Sequence, residues 1–162
     1  MNITLVRAGL EDAKVLYDMQ IESFMPLLEK YQDFETSPAN EPIEKMVNRI
    51  NQSFTDYYII KKDGINVGGI RIVKASNNIY RVSPIFILPE YQGYGIAQKV
   101  FRMIELRYKD AKRWELDTIL QEPRNCYLYE KLGYKKYGEN KIINNLLTLV
   151  FYEKFLEKDV ED

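Results

Sequence analysis

Histidine is absent from this 162-residue chain, and cysteine occurs once. Without histidine, Ser–His–Asp and Cys–His nucleophilic schemes are excluded in their usual forms. One cysteine cannot make up the missing ligands of an ordinary zinc site, so no metal is expected. That cysteine, Cys126, also rules out an internal disulfide and fits a reducing compartment. An excess of one charge is lacking as well: 23 basic residues stand against 24 acidic ones. Lys and Arg are scattered rather than clustered, which argues against nucleic acid as a partner. Long apolar runs are missing. The most apolar late stretch, IINNLLTLVFY (142–152), is too short to span a bilayer and contains two asparagines, so no membrane partner is expected. The start, MNITLVRAGLED, shows no charged region leading into an apolar one. A cytoplasmic location is the expectation.

What remains reads as a globular fold. Hydrophobic residues make up 46% of the chain, enough at this length for one domain with its own core. Residues 1–158 read as that domain, and the acidic 159–162 as a frayed tail. ITLVR (3–7) alternates like a strand. From Glu11 a helical pattern runs through Ala13, Leu16, Tyr17, Ile21 and Phe24, and Pro26 is expected to end or kink it near Phe24. After the polar loop QDFETSPANEP, Pro42 precedes a second helix, IEKMVNRI. YYIIKK (57–62) and NVGGIRIVK (66–74) form a hairpin around Asp63-Gly64. IYRVSPIFIL (79–88) is a third long strand. Residues 95–108 have the spacing of a helix laid on a sheet. WELDTIL (114–120) is a strand, and NCYLYEKL a short helix ending at Gly133. YKKYGE and LLTLVFYEKF make two final strands. The order β-α-α-β-β-β-α-β-α-β-β implies an α/β fold with a mixed sheet and helices on its faces.

The stretch LPEYQGYGIAQKV (88–100) stands where a strand becomes a helix. A tight turn into a helix leaves the first backbone N–H groups unpaired at the positive end of the dipole. Glycine lets a ligand approach that backbone closely. Tyr94, Gly95, Ile96 and Ala97 would supply the donors, and a diphosphate is the obvious guest. Gly93 and Gly95 match the start of a dinucleotide G-x-G-x-x-G, but the last glycine would fall at Gln98, and no Lys-Ser/Thr follows. By itself the pair reads more simply as two glycines that only make the turn.

Further along lies NCYLYEKLGYKKYGE (125–139). The two stretches together, ILPEYQGYGIA with Gln92, Gly95 and Ala97, then Asn125, Tyr129 and Gly133, resemble the GNAT N-acetyltransferase superfamily. The motif match covers roughly residues 85–134. The resemblance implies the GNAT-like acyl-CoA N-acyltransferase fold: a mostly antiparallel central sheet with helices on both faces and a splayed strand pair. It implies acetyl-CoA as co-substrate, its diphosphate held by backbone amides from Gln92 through Gly93, Tyr94, Gly95 and Ile96 to Ala97. It further implies that the pantetheine arm pairs with the strand backbone around Phe86 and Ile87, and that an N–H near Ile87 polarises the thioester carbonyl. Pro84 then marks either a bulge where the strand splays or simply an edge.

Acetyl transfer needs a neutral amine, stabilisation of the thioester oxygen, and a proton for the leaving thiolate. Tyr129 stands at the position of the family's general acid. Asn125, one turn earlier, either holds the pantetheine region or caps the helix. The strand before the turn has no Asp or Glu, so the base is open among Glu22, Asp117, Glu122 and water. Cys126, with no histidine beside it, reads as a small buried residue. Lys99 and Arg102 could meet a CoA phosphate or merely face solvent. The acceptor is a small-molecule or peptide amine. The segment 31–44, with four acids and no base, favours a small cationic amine through Asp33 and Glu35, unless it is only a solvated loop. The implied activity is direct attack in a ternary complex. A CoA-binding module without transferase activity is the rival reading, supported by the missing strand carboxylate. The family is often dimeric, and a homodimer is compatible with a sequence that specifies no interface.

Overall fold

Strict alternation of large side chains builds the sheet. In β2 (Thr55–Lys62), Tyr57 and Ile59 enter one core while Tyr58 and Ile60 enter another, as period-two geometry requires. The computed structural model describes residues 1–156; the tail expected at 159–162 and the end of the 1–158 span lie outside them. The remaining strands are β1 (Ile3–Arg7), β3 (Ile65–Ser76), β4 (Ile79–Ile87), β5 (Arg113–Ile119), β6 (Lys135–Lys136), β7 (Lys141–Ile142) and β8 (Thr148–Phe155). They form an eight-stranded sheet in the order β1-β2-β3-β4-β5-β8-β6, with β7 also on β8. Every pairing is antiparallel except β4 with β5.

The helices are α1 (Ala13–Tyr31), α2 (Ile43–Asn51), α3 (Ile96–Arg107) and α4 (Pro123–Lys131). Leu16, Met19 and Met46 of α1 and α2 share a core with Tyr57, Ile59 and Phe86. Val100, Phe101, Ile104 and Tyr129 of α3 and α4 share the other with Ile60, Ile70, Trp114 and Val150. The mixed sheet with helices on both faces is therefore as the order of elements implied. No helix among the described residues is long and apolar enough to cross a membrane.

Two boundaries differ from expectation. Helix α1 runs through Pro26 without ending at Phe24. The bond Pro26 cannot make would go to Glu22, and both residues lie on the exposed side. Water can serve that carbonyl, while Leu16, Met19, Ser23, Leu28 and Tyr31 bury the opposite stripe on both sides of the proline. The segment YKKYGE is strand only at Lys135–Lys136, with one further bond from the Tyr137 N–H to the Phe151 carbonyl, and the chain makes a second short strand, β7, before β8.

The feature that positions the site is a fork. β4 pairs with β5 from Ile79 to Arg81 and then leaves it. At the same place the β3 register moves from Ile72↔Val82 to Ile70↔Ile85, so Ser83 and Pro84 together oppose Arg71. This is a bulge, which bends its strand and increases its twist. Arg71 Nη1 donates to the Ser83 carbonyl at 3.0 Å and holds the bulge in place. Pro84, preceded by a cis bond, thus marks the bulge rather than a bare edge.

Beyond the bulge β3 and β4 approach closely. A Cβ on Gly68 would stand 2.1 Å from the Phe86 carbonyl oxygen, a backbone atom that cannot swing aside. Gly68→Ala is expected to lower unfolding stability by about 1–3 kcal/mol, the usual range for overpacking. Denaturant midpoints of the two proteins check this; equal midpoints would show that the strands separate at no cost.

Candidate active site

The turn after β4 is built to offer amides. Leu88 N–H bonds back to Val67, Tyr91 N–H to Leu88 and Gln92 N–H to Pro89. Gly93 (φ +84°) and Gly95 (φ +78°) then take left-handed conformations that side chains disfavour. From Gly93 to Gln98 no backbone N–H finds an acceptor among the described residues; the next, Lys99, bonds to Gly95. Gly95 caps α3, so these donors stand at the positive end of its dipole. The free donors begin at Gly93, since the Gln92 amide is engaged. The Gln92 side chain also turns inward, its Nε2 donating to the Ile87 carbonyl at 2.9 Å.

Cations surround this turn. An Arg124 Nη2 lies 3.6 Å from where a Gly93 Cβ would be, and Lys62 Nζ lies 5.2 Å from the Tyr94 ring centre. Neither was singled out by sequence, because they come from α4 and β2. Lys99 reaches the Met1 carbonyl at 3.0 Å, and Arg102 is exposed. Free amides, a helix dipole and converging cations fit a diphosphate.

The open edge of β4 leads away from the turn. Antiparallel partners alternate between bonded and non-bonded pairs. Leu88 N–H bonds to Val67, and the register runs Gly68↔Ile87, Gly69↔Phe86, Ile70↔Ile85. Phe86 therefore turns its backbone groups to β3, whereas Ile85 and Ile87 turn theirs to the edge that β5 has left. Of the expected pair Phe86 and Ile87, only Ile87 presents its amide there. Phe86 instead packs its ring against Phe24, centroids 6.0 Å apart.

Between the parted strands lies a cavity of about 340 Å³. Val82 to Ile85 form one wall and Leu116 to Ile119 the other, with Asn125 and Tyr129 of α4 beside them. Residues of the 31–44 segment close it. Tyr129 is 7% exposed; its ring sits against Phe101, Tyr134 and Tyr152 at 5.6–6.1 Å. Burial, then the Asp117 charge and Cys126, push its phenol well above the ordinary tyrosine range, so it stays protonated. Asn125 lies inside the first turn of α4 with Glu122 at the cap position, so it does not cap the helix.

The carboxylates sort themselves by location. Asp117 lines the cavity and pairs with Arg81 at the fork. Glu22 is exposed on the far side of α1, away from the cavity. Glu122 is bound at 2.8 Å by Lys30 and at 2.6 Å by the Tyr31 hydroxyl, tying α4 to the end of α1. Burial works to raise its pKa, but the hydrogen bonds from Lys30 and Tyr31 and the Lys30 charge outweigh it, and the net direction is downward. Asp33 lines the cavity, as do Glu41 and Arg49, while Glu35 is exposed and does not. Arg49 grips Glu41 with two bonds, 2.6 and 3.0 Å. Cys126 is buried with its Sγ 3.8 Å from the Ile119 carbonyl, a packing position.

Comparison with known proteins agrees with this geometry. Residues 19–156 match the family model described as Acetyltransferase (GNAT) domain. No curated protein sequence matches the chain. Among solved structures, the PaiA N-acetyltransferase of Thermoplasma acidophilum, in complex with coenzyme A, superposes with TM-score 0.75 at 19% identity, covering 96% of this chain and 100% of that one. A Vibrio cholerae spermidine N-acetyltransferase with CoA and spermine gives 0.74 at 16%, covering 94% and 95%. A ribosomal-protein alanine N-acetyltransferase of Escherichia coli gives 0.78 at 10%, covering 99% and 98%. At these identities the likeness is one of fold.

Glu122 provides a test of its structural role. Its stabilisation is fully present above the ordinary glutamate range and is lost as pH falls through the lowered folded-state pKa. Glu122→Gln is expected to melt below the wild type at neutral pH, with the gap closing in acid, where the wild-type carboxyl is also neutral. Melting temperatures across the acid range check this. A gap independent of pH would mean that the charge contributes nothing.

Proposed function

The chain belongs to the GNAT acetyltransferase family, and on that footing we propose that it acetylates a primary amine of a small cationic acceptor, both substrates being bound together. Acetyl-CoA, when bound, supplies the acetyl group as a thioester with a thiolate leaving group. The observation that carries the reading is the fork: the open edge of β4 at Ser83 to Ile85 and the Tyr129 side chain line one cavity, and the same strand runs on from that edge into the amide turn.

The chain's own residues divide the work. Amides from Gly93 to Gln98, with Arg124 nearby, hold the diphosphate. Ile85 and Ile87 offer an extended arm the edge that β5 leaves free, and the Ile87 N–H donates to the carbonyl oxygen as it gains charge. Asn125 lines the same cleft and holds the arm near Tyr129. Tyr129, kept protonated by burial, gives its proton to the departing sulfur. Of Glu22, Asp117 and Glu122 only Asp117, itself paired with Arg81, lines the cavity, and it is the base, directly or through water.

Thiol release from acetyl-CoA, measured across a panel of amines, tests this directly. Tyr129→Phe is expected to lower kcat by roughly 10²- to 10⁴-fold, the usual contribution of a positioned acid, with acetyl-CoA affinity retained. Full activity in that variant would remove Tyr129 from the chemistry. Failure of every amine to release thiol would overturn the transfer itself.

A further inference from the structure

Charge around the acceptor end of the cavity is matched at two places and unmatched at a third. Arg49 is paired by Glu41, and Arg81 by Asp117. Asp33 lines the same cavity and is 7% exposed, yet no Lys or Arg pairs with it among the described residues. Its partners are the Thr36 backbone N–H, at 3.0 Å, and the Thr36 hydroxyl. A carboxylate has about four acceptor positions, so this leaves lone pairs unused. A buried anion without a cation is costly.

The segment that carries Asp33 is also held firmly. Gln20 donates to the Pro38 carbonyl at 2.9 Å, the Ser37 hydroxyl accepts from the Ala39 N–H, and Asn144 donates to the Tyr31 carbonyl at 3.0 Å. Asp33 is thereby fixed at the cavity wall, where a cation entering the cavity can supply the counter-charge that its bonds to Thr36 do not.

The reacting amine is a poor source of that charge. It must be neutral when it attacks, because the attacking lone pair is the one a proton would occupy. A second fixed carboxylate, besides the base, that gripped it as ammonium would oppose the reaction. We propose that Asp33 holds a second, non-reacting cationic group of the acceptor, so that the preferred substrates are diamines or amines that also carry a guanidinium. This rests on the reading of the cavity as the acceptor side of an acetyltransferase and adds what that reading leaves open, the second charge. A cavity of about 340 Å³ is of a size for such a small chain.

The test compares α,ω-diaminoalkanes with n-alkylamines of equal chain length, using wild type and Asp33→Asn. Wild type is expected to favour the best diamine over its monoamine by about 10-fold or more in kcat/KM, chiefly through KM, as a charge-assisted hydrogen bond allows. In Asp33→Asn that ratio should fall towards one, and Asp33→Glu should restore part of it. Calorimetric binding of the diamine to the CoA-loaded protein should weaken in step. Equal use of diamine and monoamine by wild type overturns the proposal while leaving acetyl transfer intact, and needs no variant to fold. Survival of the ratio in Asp33→Asn overturns it too. If no amine of either series releases thiol, the transferase reading has failed. Calorimetry still decides the role of Asp33: binding that depends on the second amino group and on Asp33 supports it, and binding indifferent to either overturns it.

Discussion

Everything in the site follows from two parallel strands that cannot stay together. Had β4 and β5 remained paired past Arg81, the Ile85 and Ile87 amides would have been consumed by β5 and no cavity would exist. The turn after β4 would then deliver its free N–H groups to a closed sheet. What parts the strands is the bulge at Ser83 and Pro84, held by Arg71 from the neighbouring strand. What keeps the fork from widening without limit is Arg81, which reaches across to Asp117 and Glu115 on β5. One guanidinium fixes the bend and another fixes the gap.

A gap inside a protein is unstable unless its walls suit water or a ligand. An apolar void loses contacts and transfer energy together. Here the walls carry Asp33, Thr36, Glu41, Arg49, Asp117 and Asn125 among the aliphatic side chains. Ion pairs of this kind contribute little net stability, because desolvation offsets their attraction. Their use is geometric: the Arg49–Glu41 pair joins α2 to the segment that covers the cavity, and Gln20 bonds to the same Glu41. The charges keep the space polar and its lining in register.

The sequence disclosed the parts governed by local pattern. Strand alternation, the helix spacing of 95–108 and the glycine turn were all legible, and so was the splayed pair through its resemblance. Pro26 misled because its cost depends on whether Glu22 faces water, which only the packed helix decides. The short strands after α4 were blurred because two-residue pairings leave no period to detect. Within the site, Tyr129 and the turn were legible because a motif carries them. Arg124 beside Gly93 and Lys62 over Tyr94 were not, since each reaches the turn from an element distant in sequence. Asp33 and Glu35 differ by two positions and looked equivalent; the loop buries one and exposes the other. Glu122 looked like a base because it precedes Asn125, but Lys30 and Tyr31, from the other end of the fold, bind it.

The absence of histidine gives the arrangement its chemical logic. A single imidazole can serve as base and then as acid, whereas the function proposed above divides those tasks between Asp117 of β5 and Tyr129 of α4, which line one cavity. Tyr129 is protected from ionising first by burial and then by the negative charge of Asp117. The same carboxylate that keeps the acid protonated faces the space where the acceptor enters. A cationic acceptor there would offset part of the Asp117 charge and so ease release of the phenol proton when it is needed. On that reading proton donor and acceptor are linked electrostatically without touching, and a bound cation would relax the link.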